Sequence, residues 1–223
     1  MLVLALDTAL AACSAAVLDS ASGAVLALAC EPMERGHAER LIPLVSETCA
    51  AAGIAPGACH RFVATTGPGS FTGLRVAISA ARAMALATGG DAVGISTLAA
   101  LSEPWLGSTE PLAVLAAIDA RHGHVYASLT AHDRSVIAAP AYLDAAEAAR
   151  LPSGQPVVLV GPGANAVLAA WPSGASAPVI LDERPSPDIA LIARLGGEAD
   201  PALFPCRPLY LKAVDAKPQG SRA

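Results

Sequence analysis

A glycine-rich turn running straight into an alanine-rich helix, TTGPGSFTGLRVAISAARA from Thr65 to Ala83, constrains this chain more than any other stretch. A strand that feeds such a turn and then a helix is a β–α unit, the building block of α/β folds. The helix start offers unpaired N–H groups and about half a positive charge, so the turn could hold a phosphate or a carboxylate. It matches neither of two phosphate fingerprints. A Walker A loop needs a lysine after its last glycine, but Leu74 and Arg75 follow Gly73, and no lysine precedes Lys212. A dinucleotide fingerprint needs a third glycine where Thr72 stands. Two readings remain. Gly67 and Gly69 let the backbone approach an anion, with Ser70 adding a hydroxyl, or the turn is a tight connection capped by Ser70 or Thr72 that serves packing alone.

The flanking sequence supplies the frame. MLVLALDTA is an apolar run ending at Asp7 and Thr8, and CSAAVLDSASGAVLALAC reads as two strands around a turn at Ser20 to Gly23. HAERLIPLVSETCAAAG carries a helical stripe of Leu41, Leu44, Val45, Cys49 and Ala52, with Pro43 expected in its first turn or at a kink. RFVATT and DAVGIS are strands on either side of the alanine-rich helix, whose stripe is Ile78, Ala81, Ala85 and Leu86. After the turn-rich SEPWLGSTEP the pattern resumes: two strands, the helix YLDAAEAAR, a strand and helix around GPGAN (Gly161 to Asn165), and a last helix in PDIALIARLGGEA. The expected division is 1–107, 108–200 and a return segment with a frayed tail over 201–223. LALDTALAACSAAVL and LAAIDARHGHVYASL resemble each other, and superposing Asp7 on Asp119 brings Val17 onto Leu129. Such a repeat implies two α/β halves facing a cleft, each offering a hairpin turn to a ligand.

Composition narrows the function. At 54% hydrophobic the chain can fill a core, and at a net charge of -5 it is poorly suited to grip a nucleic-acid backbone alone. Five cysteines without a C-x-x-C pair indicate reduced thiols. Asp7 and Asp19 interrupt the apolar N-terminus and no run is long enough to span a bilayer, so a soluble cytoplasmic protein is expected. Asp7 could act on a phosphate through Mg²⁺ or cap a hairpin, and GPGAN could receive adenine or ribose or be a plain turn. His122 and His124 share a strand face but lack a third ligand, and His37 stands alone near a helix start, so no metal site is expected. No G-x-S-x-G or H-E-x-x-H motif is present.

Taken in order, LALDTALAACSAAV, HAERLIPLV, GPGSFTGLRVAISAARAMA, AAIDARHGHVYA and PLYLKA resemble the TsaB (YeaZ) family over nearly the whole chain. The resemblance implies an α/β actin/Hsp70-like (ASKHA) fold of two duplicated RNase H-like halves, with mixed sheets flanked by helices. It implies a cytoplasmic subunit of the complex that places threonylcarbamoyl on N6 of adenine 37 in tRNA. The partners would be the catalytic paralogue TsaD and the ATPase TsaE, with TsaC supplying the adenylate and tRNA met through the complex. Where TsaD carries an H-x-x-x-H metal pair, this chain has Thr97 and Leu101.

From that resemblance the expected role is a non-catalytic scaffold, with ATP or ADP and a divalent metal held by the partner complex rather than by this chain. Asp7, Thr8, Gly67, Gly69 and Ser70 would be the vestige of a nucleotide site. Leu41, Leu44, Val45, Ile78, Ala81 and Ala85 would face the partner, or a second copy when the chain is alone, unless these helices merely cover their own sheet. An autonomous ATP-hydrolysing enzyme of this fold and a peptidase are the alternatives. The first would rest on Asp7 and Asp119, and the second finds no nucleophile–base pair.

Overall fold

Three strands fold back on one another at the start of the chain: β1 (Leu2–Asp7), β2 (Ala12–Asp19) and β3 (Ala24–Pro32). The computed structural model describes residues 1–107 and 110–211, so Lys212, Lys217 and the tail PQGSRA lie outside the described residues. β4 (Arg61–Gly67) and β5 (Asp91–Ser96) add in parallel, giving the order β3-β2-β1-β4-β5. The crossovers are α1 (His37–Ala51) and α2 (Phe71–Thr88). The next segment, α3 (Thr97–Ser102), leads through a 3-10 turn to a second copy of the plan.

That copy has β6 (Ala113–Arg121), β7 (His124–Thr130), β8 (Val136–Asp144), α4 (Ala145–Arg150), β9 (Val157–Val160), α5 (Ala164–Ala169) and β10 (Ile180–Asp182). Its order, β8-β7-β6-β9-β10, repeats the first. Two mixed sheets of matched topology, flanked by helices, are the duplicated RNase H-like halves of the actin/Hsp70 fold. The repeat is offset by one residue from the ungapped superposition. Leu4 pairs with Val17, whereas Ala116 pairs with Ser128 rather than Leu129. The second hairpin is shorter, with Asp7 opposite Ser14 but Asp119 opposite Val125.

α1 and α2 cover one face of the first sheet, packing Leu41, Leu44, Ile78 and Ala81 onto Leu4, Leu6 and Phe62. Pro43 is the seventh residue of α1, past the first turn, on the exposed side of the helix. α3 wedges between the halves, burying Leu98 and Leu101 against Val114, Ala116 and Val160. α4 and α5 close the far face of the second sheet.

One helix departs from the expected division. α6 (Ile189–Glu198), grouped by sequence with the second half, packs on the first sheet, with Ile189, Ile192 and Ala193 against Val3, Ala16 and Val63. Arg61 Nη1 donates to the carbonyls of Gly196, Gly197 and Ala199 at 3.2, 2.9 and 2.8 Å. The return segment then runs along the β5 edge, where the Gly94 N–H donates to the Phe204 carbonyl at 2.9 Å and the Leu209 N–H to the Thr66 carbonyl at 2.8 Å. An apolar stripe tells which side of a helix is buried, not which sheet buries it. No helix among the described residues is long and apolar enough to cross a membrane.

Candidate functional site: the cleft and its glycine turns

A cleft of about 620 Å³ separates the halves, lined by Leu10, His37 and Ser70 from the first and Asp119, Arg121 and Tyr126 from the second. Gly69 also reaches it. Asp7 and Thr8 do not: both are fully buried beneath its floor. Asp7 Oδ1 accepts from the Thr65 hydroxyl and from the Ala9 N–H, the latter at 3.0 Å. Its Oδ2 has no partner, and neither has Oγ of Ser14, directly opposite on β2, nor Oγ1 of Thr97. Burial pushes the Asp7 carboxyl above its ordinary value of 3.8, outweighing the opposing hydrogen bonds from Thr65 and Ala9.

The turn between β4 and α2 is pressed against the β1–β2 turn by backbone contacts. The Ser70 N–H donates to the Ala9 carbonyl at 2.8 Å, and the Thr8 hydroxyl to the Gly73 carbonyl at 2.6 Å. A Cβ on Gly69 would stand 2.5 Å from the Ala9 oxygen, and one on Gly73 would overlap the Thr8 oxygen. Ser70 caps α2 by accepting from the Gly73 N–H at 3.2 Å. Gly67, at φ 107°, takes a conformation that side chains other than hydrogen rarely allow. These glycines therefore bring protein backbone onto protein backbone, the packing reading of the motif.

The second half repeats the device. The Gly163 N–H donates to the Ala117 carbonyl at 2.9 Å, and a Cβ on Gly161 would lie 2.5 Å from that oxygen. Asn165, in the turn that could receive an adenine, donates instead to Glu183 at 2.7 Å. Asp119 closes its own hairpin, accepting from the Arg121 N–H at 2.8 Å. The His124 ring stacks on Tyr142 with centroids 4.8 Å apart.

The residues present do not fit the metal pair of a TsaD-type site. Thr97 and Leu101 are fully buried, and leucine has no ligand atom. Asp7 presents no oxygen to the cleft. Among the described residues no three His, Cys, Asp or Glu side chains come together.

The six expected partner-facing residues require correction. Leu41, Leu44, Val45, Ile78, Ala81 and Ala85 are all buried in the chain's own core. A stripe with helical period marks burial, and here the chain's own sheet supplies it. The large apolar groups that these helices leave outside are Ile42, 52% exposed, Leu86, 87% exposed, and Phe71 at the start of α2. Ile42 precedes Pro43 on the polar side of α1, and Leu86, grouped by sequence with Ile78, Ala81 and Ala85, is not part of their buried stripe but faces outward.

A family model described as TsaD, tRNA N6-adenosine threonylcarbamoyltransferase, matches residues 30–169. Over 126 residues the chain is 37% identical to the tRNA threonylcarbamoyladenosine biosynthesis protein TsaB of Escherichia coli K12, covering 56% of this chain and 53% of that protein. The alignment thus spans about half the length of that curated relative. An uncharacterized protein of Mycobacterium tuberculosis H37Rv is 33% identical over 219 residues, 97% of this chain and 94% of its own. A solved structure of YeaZ from Pseudomonas aeruginosa superposes with a TM-score of 0.75 at 29% identity, covering 94% of this chain and 99% of that one.

Proposed function

We infer that this chain, which belongs to the TsaB (YeaZ) family, serves tRNA threonylcarbamoyladenosine biosynthesis as a subunit that carries out no chemistry of its own. The burial of Asp7 carries the second half of that reading. A carboxylate that acts on a magnesium-bound nucleotide must offer an oxygen to the ligand, and the free oxygen of Asp7 is fully buried in a strand position opposite Ser14. The frame of an ATP-handling fold persists here with its glycine turns used for packing. Nucleotide and divalent metal then belong to the partner complex.

The partner is the catalytic paralogue TsaD, assisted by the ATPase TsaE, in the cytoplasm where tRNA is modified. tRNA is modified at the reaction centre of TsaD. Ile42 on α1 and Leu86 in the last turn of α2 mark the pairing face, because both stand in water. Burying a side chain of that size contributes about 1.5–3 kcal/mol. The same face serves a second copy when TsaD is absent.

Pull-down with the cognate TsaD, followed by reconstitution of the modification with and without this chain, tests the reading. Expected are a stable pair, modification that depends on the chain, and an inert chain on its own. ATP hydrolysis or tRNA modification by the chain alone would overturn it, as would full modification without it.

A further inference from the structure

Phe71, Arg75 and Tyr210 stack in the open at the start of α2. The Arg75 guanidinium lies 3.7 Å from the Phe71 ring centroid, and its Nε donates to the Tyr210 hydroxyl at 3.2 Å. The two rings are 5.8 Å apart at 33°. Phe71 is 57% exposed and Tyr210 51%. At 100° per residue, positions 71, 75 and 82 of α2 fall within about 40° of arc, so Arg82 continues the same side. Arg82 and Arg207 line one recess of about 310 Å³ beside Cys206.

Arg40, Arg61, Arg134 and Arg184 each hold a carboxylate. Arg75, Arg82 and Arg207 hold none among the described residues. The Leu209 N–H, bonded to Thr66, fixes the segment that presents Tyr210.

We propose that this face binds unpaired nucleotides of RNA. Arginines without a carboxylate partner among the described residues, in a chain of net charge -5, form a local cationic patch, and screening over about 8–10 Å lets it act independently of distant acids. Exposed rings interleaved with guanidinium groups offer what splayed bases need: flat surfaces for stacking, with cations beside them for the phosphates. An acidic protein segment would engage the arginines and leave the rings without a role. The inference rests on the tRNA-modification reading for which RNA is bound, namely the single-stranded loop that carries the modified adenine.

Fluorescence anisotropy of the full chain with a labelled anticodon stem–loop RNA tests this at low salt, with a duplex RNA of equal length and a polyglutamate peptide as competitors. The stem–loop is expected to bind more tightly than the duplex. Arg75→Ala and Tyr210→Ala should each weaken it about tenfold. Arg82→Ala and Arg207→Ala, exposed positions at which the fold tolerates change, should each reduce the slope of log affinity against log salt by about 0.7. Absence of stem–loop binding, or unchanged binding in all four variants, overturns the proposal. Displacement by polyglutamate but not by RNA assigns the face to an acidic protein and also overturns it. If the variants lose RNA while modification proceeds without the chain, the functional reading fails and the RNA face stands. If modification needs the chain but the variants bind RNA as the wild type does, the face fails and the reading stands.

Discussion

Thr8 donates its hydroxyl to the Gly73 carbonyl at 2.6 Å, and the Gly73 Cα sits so near the Thr8 carbonyl that no Cβ fits between them. The contact joins the β1–β2 turn to the first turn of α2, 65 residues apart in sequence. With Gly69 against Ala9 it locks the glycine turn to the hairpin below it.

Gly73→Ala is therefore expected to destabilise the chain by about 1–3 kcal/mol, the range for overpacked interiors. The sign is informative, because alanine in place of glycine inside a helix ordinarily stabilises by about 0.5–1 kcal/mol. Gly69→Val should do the same through the Ala9 carbonyl and a restricted backbone. Urea unfolding of both variants gives the values. A neutral or stabilising Gly73→Ala would mean the two turns are not in contact.

Asp7 gives the pH dependence. Its folded-state pKa lies above the ordinary 3.8 through burial, so the folded chain holds the proton more tightly than the unfolded one. That contribution is complete below pH 3.8 and is lost as pH rises through the folded value. Asp7→Asn keeps an oxygen for Thr65 and Ala9 and removes the ionisation. The variant is expected to melt above the wild type at neutral pH, with the gap closing as the pH falls toward 3.8. Thermal scans across that window read the difference, and a gap that widened on acidification would contradict the assignment.

The duplicated plan was legible from particular residues. Asp7 and Asp119 each end an apolar strand before a hairpin, and the Gly67 and Gly161 turns each follow a later strand, so the duplicated plan could be read in sequence. The docking of α6 could not be read, because Ile189, Ile192 and Ala193 would suit either sheet. Leu44 and Leu86 show the limit at the site. Both are large apolar residues on neighbouring helices, and only the path of the sheet makes one core and the other surface. The sealing of Asp7 was hidden for the same reason, since its hydroxyl partner Thr65 arrives from a distant segment.

Leu44→Asp is accordingly expected to abolish folding rather than partner binding. Truncating a buried leucine costs about 2–5 kcal/mol, and an unpaired buried carboxylate adds several more, against a total stability of about 5–15 kcal/mol. Circular dichroism of the purified variant distinguishes the outcomes. A folded Leu44→Asp chain that failed to pair would restore the residue to an interface.

ATP is expected to leave the melting temperature of the isolated chain unchanged. A ligand at about 100 times its dissociation constant would add about 2.7 kcal/mol, well within reach of a thermal scan. The turn that would hold the phosphates has its Ser70 and Gly73 N–H groups committed to Ala9 and Ser70, and Asn165 is engaged with Glu183. A clear upward shift with ATP, lost in a folded Ser70→Ala variant, would make the cleft a working nucleotide site.

Leu86→Arg separates surface from core on the same helix that carries Ala81 and Ala85. Leu86 is 87% exposed and contributes little to the fold, so the variant should melt within about 0.5 kcal/mol of the wild type. If the outward side of α1 and α2 receives TsaD, a guanidinium there must be desolvated without a partner, at a cost of several kcal/mol. Pairing should fall by two orders of magnitude or more at about 1.4 kcal/mol per decade. Ile42→Arg should act in parallel from α1, and the two losses should not simply add if both residues enter one apolar contact. Calorimetric titration against TsaD measures each variant. Two folded variants that pair with wild-type affinity would remove this face from the complex and leave the apolar exposure of Ile42 and Leu86 without a role.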